Sequence, residues 1–308
     1  MRPSKILIEF GHPLAEDLNK LNTPVLKEKA DLFLKMHHGT RMLVLPNVWD
    51  VISARIFEEA GFEALATTSG GISCSLGYPD GERIPRKEML EAVSRIASRL
   101  KVPLSADMES GYGSDEKSME DLARDVLSAG AVGLNIEDSV KGSGKGNSDA
   151  SLEDVDFQVS KIKAIRRASE SLGVHLVINA RCDSILRLRS TDERTKAAAI
   201  EQLIERGKAY SRAGADCIFA MFVKEREHIA KVVSSLDSPV NIIVGPGSLP
   251  LSELEKLGVA RVSFGTSMTR ATIGLLRRVG RELRQAGTYE GLADTITHEE
   301  MNKLALER

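Results

Sequence analysis

Four acidic residues follow two neighbouring apolar runs of the sequence. Asp107 and Glu109 come at the end of one run, and Glu137 and Asp138 at the end of the next. Four carboxylates in one place repel each other unless a cation or a proton lies between them. Carboxylate oxygens without a histidine pattern favour Mg²⁺ or Mn²⁺ over Zn²⁺, and Mg²⁺ binds one or two carboxylates while keeping several waters. The sequence therefore predicts a water-rich magnesium site; the alternative is a structural network in which Arg or Lys pairs with these carboxylates.

An arginine at the end of another apolar run could bind the substrate. Arg181 ends the run at 174–181, and its planar guanidinium suits bidentate binding of a carboxylate or phosphonate. The alternative is that Arg181 pairs with Glu137 or Asp183.

A short glycine segment follows a further apolar run. In the sequence TTSGG at 67–71, Ser69 and the backbone amides of Gly70 and Gly71 could bind an oxyanion, because glycine permits close approach of a ligand. The alternative is a tight turn between a strand and a loop.

The segment KGSGKGNSDAS at 141–151 is polar and rich in glycine and serine. It directly follows the run that ends near Glu137, and its length suits a mobile active-site lid. It does not match a Walker P-loop, and its glycine spacing follows the wrong strand for dinucleotide binding. The alternative is a disordered surface loop. No HExxH or GxSxG motif occurs in the chain, which argues against zincin and serine-hydrolase chemistry.

Eight short apolar runs alternate with amphipathic segments, many of which end at glycine. The runs predict strands at 42–46, 63–67, 102–107, 131–137, 174–181, 216–221, 239–244 and 260–265. The amphipathic segments predict helices, the first over 24–38. This alternation is typical of a parallel sheet covered by helices, and eight units predict an α/β fold of the (β/α)₈ TIM-barrel type. An open doubly wound sheet is the competing fold, but the expected glycine fingerprint is missing after the first strand.

Composition limits the classes of protein and partner. The chain has 308 residues, 42% of them hydrophobic and 28% charged, which predicts one folded barrel domain over 1–308. A formal charge of −2 provides no field that would recruit nucleic acid or an anionic membrane, so a small molecule is the expected partner. Three scattered cysteines and the lack of a signal or membrane-spanning segment predict a cytoplasmic protein.

Several motifs occur together in a fixed order and resemble one superfamily. They are PNVWDVISARIFEEAGFEALATTSGG, SLGYPDGE, SADMESGYG, GLNIEDS, INARCD and GADCIF. Over about 42–285 the chain resembles the isocitrate lyase and phosphoenolpyruvate mutase superfamily. The resemblance implies a barrel whose last helical segment, at about 266–308, is exchanged between subunits of a homo-oligomer built as a dimer of dimers. It also implies Mg²⁺-dependent chemistry on small 2-oxo or 2-hydroxy acids.

The resemblance also implies roles for individual residues. Ser69, Gly70 and Gly71 match the segment that binds substrate oxygens, and Asp80 matches a conserved acid of the family. The other matches are the principal metal ligand Asp107, the metal-shell residues Glu109 and Glu137, the substrate-binding Arg181, and the lid residues Lys145, Asn147 and Ser148, which resemble the K-x-N-S of phosphonopyruvate-forming mutases.

Two departures from the family pattern bear on the reaction. The lid lacks the cysteine of the KKCGH motif of isocitrate-type lyases, and Met221 stands where the mutases have a histidine. The leading hypothesis is an oxaloacetate decarboxylase-like lyase that breaks a C–C bond through a metal-stabilised enolate. The alternatives are a P–C bond enzyme, either a phosphonomutase or a phosphonopyruvate hydrolase, and a noncatalytic metabolite-binding barrel. The sequence indicates no role for the lead-in at 1–22.

Overall fold

The computed structural model describes residues 23–140, 151–186, 188 and 192–306. All eight predicted apolar runs form strands, and every strand pairing is parallel. The strands are β1 (Leu43–Leu45), β2 (Asn47–Val48), β3 (Leu65–Thr67), β4 (Leu104–Asp107), β5 (Gly133–Glu137), β6 (Val177–Cys182), β7 (Cys217–Ala220), β8 (Val240–Ile243) and β9 (Arg261–Ser263).

The sheet closes at its first strand, which Pro46 divides in two. β1 pairs with β9 and β2 pairs with β3, so the two short strands together act as one strand of an eight-stranded barrel. Proline has no amide hydrogen to donate, which explains the break. Asn47 bridges the closure: its Oδ1 accepts from the amides of Phe264 at 2.7 Å and Gly265 at 2.9 Å, and its Nδ2 donates to the carbonyl of Thr67 at 2.8 Å. Because β1 and β2 join the two edges of the sheet, the predicted barrel is confirmed and the alternative, an open doubly wound sheet, is excluded.

Helices cover the barrel between the strands, as the amphipathic segments predict. They are α1 (Thr23–His37), α2 (Val51–Glu59), α3 (Ser69–Ser75), α4 (Arg86–Ala97), α5 (Glu116–Ser128), α6 (Val155–Ser171), α7 (Glu193–Arg212), α8 (Arg226–Ser235), α9 (Leu251–Lys256), α10 (Ser267–Gln285) and α11 (His298–Leu306), with a 3₁₀ turn at Glu290–Leu292. Among the described residues, no helix combines the length and apolar character needed to cross a bilayer.

The helix α1 packs against the barrel interior with its buried side chains. Phe33 is completely buried, and a Cβ added to Gly133 would lie 2.6 Å from its ring. Glycine at this position therefore lets the ring pack against β5. His37, at the end of the same helix, is also buried and lies edge-on to Phe33.

The C-terminal helices differ in how they pack on their own barrel. α11 packs against α2, whereas most residues of α10 are exposed. Leu275, Leu276 and Leu283 of α10 are 43%, 65% and 50% exposed. The helical character of this segment is confirmed, and its exchange with a second subunit stays a prediction.

Candidate active site

The polar residues predicted at the strand ends meet at one end of the barrel. In the strand register, Asp107 at the end of β4 lies opposite Asn135 of β5, and Glu137 at the end of β5 lies opposite Arg181 of β6. The carboxyl ends of barrel strands are where TIM-barrel enzymes carry their chemistry. This end of the barrel is therefore the candidate active site.

Asp107 and Ser69 are joined by two hydrogen bonds. The backbone N–H and the hydroxyl of Ser69 both donate to Asp107 Oδ2, at 3.0 and 2.8 Å. The amide of Asp107 donates in turn to Thr67 Oγ1 at 2.9 Å. The carboxylate is only partly buried, so one side of it faces the mouth.

The segment after β3 differs from its sequence prediction. Ser69 begins the short helix α3, for which Thr68 is the N-cap, whereas a loop or tight turn was expected. Of the two glycine amides that the sequence assigned to a substrate oxyanion, that of Gly71 has a partner within the chain, and so has the amide of Ser69. The amide of Ser69 donates to Asp107, and the amide of Gly71 donates to Thr68 Oγ1 at 3.4 Å.

Asp80 lies against the start of α3, although it is far along the chain from Asp107. A Cβ built on Gly70 would lie 3.1 Å from the Asp80 carboxyl carbon and 2.8 Å from Thr266 Cγ2. The loop that carries Asp80 and the start of α10 therefore meet at Gly70. The exposed Asp80 carboxylate and the Ser69–Gly71 segment are thus neighbours, and the role of Asp80 stays a prediction.

Arg181 pairs with two carboxylates. One guanidinium nitrogen lies 2.6 Å from Glu137 Oε2, while Nε and Nη2 donate to the two oxygens of Asp183 at 2.6 and 3.0 Å. Burial disfavours the charged form, but Glu137 and Asp183 outweigh it and raise the pKa of Arg181 above its ordinary value. The alternative reading of Arg181 as an ion-pair partner is thus present in the structure, and its contact with substrate stays a prediction.

Glu109 joins a second carboxylate in what we call the clasp, formed by residues 80–82 and 109–112. Glu109 accepts hydrogen bonds from the amide of Glu82 at 2.7 Å and from the Tyr112 hydroxyl at 3.2 Å. In return, Glu82 Oε1 accepts from the amide of Ser110 at 2.9 Å, its hydroxyl at 2.6 Å and the amide of Tyr112 at 3.2 Å. Glu82, Glu109 and Tyr112 have φ values of 57°, 51° and 55°, a region that non-glycine residues seldom adopt.

The Asp138 carboxylate has hydrogen-bond partners other than those of Asp107, Glu109 and Glu137. It is completely buried and accepts hydrogen bonds from Arg206 at 3.0 Å, from the Tyr210 hydroxyl at 2.7 Å and from the amide of Asp183 at 2.9 Å. Burial raises the pKa of Asp138 above its ordinary value. The expectation of four carboxylates crowded into one mouth is therefore wrong for Asp138, because α7 supplies its partners.

The fit of a divalent cation rests on Asp107. Among the residues that the structure describes, no three His, Cys, Asp or Glu side chains are grouped closely enough to hold a metal together. Mg²⁺ nevertheless needs only one or two protein carboxylates, with waters completing its shell. The partly exposed Asp107 meets that need, and Glu137 at the end of the adjacent strand is the next carboxylate. Metal binding by Asp107, Glu109 and Glu137 stays a prediction.

The predicted lid residues Lys145, Asn147 and Ser148 lie outside the described part of the chain. The described residues on either side of 141–150 are paired. The amide of Val140 donates to the carbonyl of Ser151 at 2.8 Å, in a short antiparallel bridge. The base of this segment therefore lies directly beside the end of β5.

Sequence reasoning did not assign a role to several residues of this site. Glu82 and Tyr112 form hydrogen bonds with Glu109, and Thr266 lies beside Gly70. Glu82 stands in the quoted motif SLGYPDGE, and Tyr112 stands in SADMESGYG between two glycines. Their positions in these motifs could have marked Glu82 and Tyr112 as candidates. Their contacts could not be predicted, because they join residues far apart in the chain.

Comparison with known proteins places this geometry in a family. Residues 33–284 match the family model described as phosphoenolpyruvate phosphomutase. The chain is 30% identical over 275 residues to 2,3-dimethylmalate lyase of Eubacterium barkeri, covering 86% of this chain and 89% of that protein. It is 29% identical over 226 residues to oxaloacetate decarboxylase of Rhodopseudomonas palustris, covering 73% of each.

A solved structure agrees with these sequence matches. A Burkholderia cenocepacia J2315 protein, provisionally named a lyase/mutase, is 33% identical and superposes with a TM-score of 0.82 over 92% of this chain and 97% of that one. Its fold agrees with the barrel described above. The chain therefore belongs to the phosphoenolpyruvate phosphomutase family, within the isocitrate lyase and phosphoenolpyruvate mutase superfamily.

Proposed function

We propose that the protein is a Mg²⁺-dependent lyase that breaks a C–C bond in a small 2-oxo or 2-hydroxy dicarboxylate, with oxaloacetate decarboxylation as the closest model. The observation that carries the proposal is the Asp107 carboxylate, held by two hydrogen bonds from Ser69 at the barrel mouth. Curated relatives named 2,3-dimethylmalate lyase and oxaloacetate decarboxylase support the same class of chemistry.

The charge balance of the mouth supports a cation. Among the described contacts, Asp107 accepts hydrogen bonds from the neutral donors of Ser69 and Asn135, whereas Arg181 already pairs with Glu137 and Asp183. Such a site attracts a cation before it attracts an anionic substrate. When bound, the cation supplies Lewis-acid polarisation of the substrate oxygens.

The residues of the chain have separate parts in this proposal. Ser69 fixes the Asp107 carboxylate through both of its donors, which keeps that oxygen oriented. Arg181 stays charged because Glu137 and Asp183 raise its pKa, and the carboxylates also fix the plane of its guanidinium. A fixed guanidinium at the mouth suits a planar carboxylate of the substrate.

The end of β7 limits the chemistry available to the chain. Met221 follows β7 and is only 8% exposed, so the strand end is apolar where the mutases of the superfamily carry a histidine. Decarboxylation of a 2-oxo dicarboxylate needs an electron sink and a positioned substrate, and it needs no further acid at this position. The apolar strand end therefore favours C–C cleavage of this kind.

A P–C bond reaction is the second candidate. The matching family model is described as phosphoenolpyruvate phosphomutase, and Lys145, Asn147 and Ser148 stand in a sequence that resembles the mutases' K-x-N-S. In that reaction the three side chains would bind a phosphoryl or phosphonyl group. If so, Asn147→Ala should remove turnover of phosphonopyruvate.

One substrate panel separates these reactions. Purified protein with Mg²⁺ is incubated with oxaloacetate, phosphonopyruvate, methylisocitrate and dimethylmalate, and ¹H and ³¹P spectra are followed against an enzyme-free control. We expect accelerated loss of a C–C substrate, with oxaloacetate the first candidate. Loss of phosphonopyruvate alone would establish the P–C reaction, and spectra equal to the control for all four would reject both.

The matched variant is Asp107→Asn, which keeps the shape of the side chain and removes its charge. We expect kcat to fall at least about 100-fold, since a cation in this role contributes several kcal/mol to catalysis. Chelation of the wild-type protein should have a similar effect, reversed by added Mg²⁺ or Mn²⁺. Full activity of Asp107→Asn would defeat the proposed mechanism.

A further inference from the structure

The barrel interior contains a completely buried arginine. Arg261 projects from β9 and has no exposed surface. Buried guanidinium groups are usually paired with carboxylates, because an unpaired buried charge is costly. Among the described residues, Arg261 forms no salt bridge. The groups that its guanidinium contacts are neutral: Asn135 Oδ1 and His37 Nε2, each at 3.4 Å, and the Phe33 ring, whose centre lies 6.0 Å from the guanidinium carbon.

The contacts of Arg261 orient the amide of Asn135. Asn135 Oδ1 accepts from Arg261 at 3.4 Å and from Asn179 Nδ2 at 2.8 Å. A guanidinium can only donate, so the carbonyl end of the Asn135 amide must face Arg261. The other end, Nδ2, is then directed to Asp107 Oδ1 at 3.4 Å.

His37 is arranged to accept from the same guanidinium. Its Nδ1 lies 2.8 Å from the carbonyl of Phe33, so the proton on Nδ1 donates there and Nε2 is left as an acceptor towards Arg261. Burial lowers the pKa of Arg261 to about 10, while Cys217 and, to a smaller extent, the negative charge of Asp107 act in the opposite direction. The guanidinium and the Asp107 carboxylate thus interact through the barrel interior, with Asn135 between them.

We propose that Arg261 is a positioning residue for Asp107, which acts by fixing the Asn135 amide as a donor to the Asp107 carboxylate. Ser69 holds one oxygen of that carboxylate, and Asn135 holds the other. Without Arg261, the Asn135 amide loses the charged donor that sets its orientation. The Asp107 carboxylate then loses its second fixed contact.

This inference rests on the proposed function, because the proposed function is what gives Asp107 a part in the reaction. The first test compares Arg261→Met with Arg166→Met. Arg166 is another largely buried arginine. It pairs with Asp216 and donates to the carbonyls of Leu176 and Gly214, and among the described residues it forms no hydrogen bond or ion pair with Asp107. We expect Arg261→Met to lower kcat by about 10- to 100-fold, as is typical of residues that orient metal ligands. Arg166→Met should lower stability and leave kcat unchanged, and Arg261→Lys should recover part of the lost activity.

A spectroscopic readout separates positioning from stability. In protein labelled with ¹⁵N at asparagine, the side-chain amide signals of Asn135 are assigned by their loss in Asn135→Ala. We expect Arg261→Met to shift these signals and speed their exchange with water, whereas Arg166→Met leaves them unchanged. If the Asn135 signals in folded Arg261→Met equal those of the wild type, the inference is wrong.

Asn135→Ala also keeps the test decisive if Arg261→Met does not fold. This variant removes the middle of the contact chain while the buried charge remains, and it should lower kcat to a similar extent. Full kcat in Asn135→Ala would overturn the inference. If the wild-type protein turns over none of the four substrates, the proposed function fails, and the Asn135 signals of Arg261→Met and Arg261→Lys still decide whether Arg261 positions the amide.

Discussion

At the residue scale, the ion pairs of Arg181 bear on its predicted role in substrate binding. Its guanidinium contacts Glu137 and both oxygens of Asp183, and these contacts fix its orientation. A guanidinium has five donors, and three of them are named in these contacts. Substrate binding by Arg181 is therefore compatible with its ion pairs and does not require them to break.

Gly70 allows a close approach between segments in the site. A Cβ at this position would lie 2.8 Å from Thr266 Cγ2 and 3.1 Å from the Asp80 carboxyl carbon. We expect Gly70→Ala to lower the free energy of unfolding by about 1–3 kcal/mol through overpacking, and to lower activity by displacing Asp80. Urea unfolding and steady-state kinetics measure the two effects.

Two further variants show whether the Gly70→Ala effect is steric. Adding Thr266→Ser removes the methyl group nearest to the new Cβ and should restore part of the stability. Gly280→Ala on α10 is the matched control, because its Cβ would meet no atom within 4 Å. That change should be neutral or stabilising by up to about 1 kcal/mol. Equal stability of Gly70→Ala and the wild type would contradict the packing described here.

At the scale of elements, the clasp joins the loop after α3 to the loop after β4 through hydrogen bonds. Glu82 Oε1 accepts three hydrogen bonds from Ser110 and Tyr112. We expect Glu82→Ala to cost about 1–3 kcal/mol by leaving these donors without an acceptor, and Glu82→Gln to cost less because its carbonyl oxygen remains. Urea unfolding gives the order of stability, and hydrogen exchange should quicken at the amides of Ser110 and Tyr112.

The control for the clasp is the exposed Glu63, where Glu63→Ala removes a carboxylate of the same type from the surface. This variant should stay within about 0.5 kcal/mol of the wild type. A loss of stability in Glu63→Ala as large as in Glu82→Ala would show that the clasp contributes nothing specific.

The strands could be predicted because parallel barrel strands are buried on both faces and read as nearly continuous apolar runs. α3 was missed because Ser69, Gly70 and Gly71 are poor helix formers, and the Thr68 cap together with tertiary burial overrides that preference.

Asp138 directly follows Glu137, and successive side chains of a strand point to opposite faces, so the two carboxylates could not both face the barrel mouth. The clasp could not be predicted, since Glu82 and Ser110 are 28 positions apart.

At the scale of the whole molecule, the exposed leucines of α10 bear on the predicted oligomer. Leu276 is 65% exposed on a helix that packs little against its own barrel. We expect the protein to be oligomeric at micromolar concentration and Leu276→Glu to weaken the assembly, as measured by light scattering after gel filtration. Leu32→Glu on α1 is the control, because Leu32 is 46% exposed, lies outside the segment predicted to be exchanged and should not affect assembly. A monomeric wild-type protein would contradict the predicted helix exchange.

The stability of the whole barrel should also depend on pH through His37. Burial, together with the charge of Arg261, lowers the pKa of His37 from 6.5 to about 4. Between these two pH values the unfolded chain binds more protons at His37 than the folded chain does. Stability should therefore rise from about pH 4 to about pH 6.5 and remain complete above it, with His37 contributing about 3 kcal/mol to the rise.

The variant His37→Gln isolates this contribution, because glutamine offers an acceptor to Arg261 and does not titrate. Urea unfolding is measured at intervals from pH 4.5 to 7.5 for the wild type, for His37→Gln and for His38→Gln, which removes the exposed imidazole next to it. We expect only His37→Gln to flatten the rise, since only His37 must give up its proton to be buried beside a guanidinium. A curve for His37→Gln with the slope of the wild type would show that folding leaves the pKa of His37 unchanged. Below about pH 6.5 the imidazole would then be charged in the folded barrel, beside the Arg261 guanidinium, and could not accept the hydrogen bond described above.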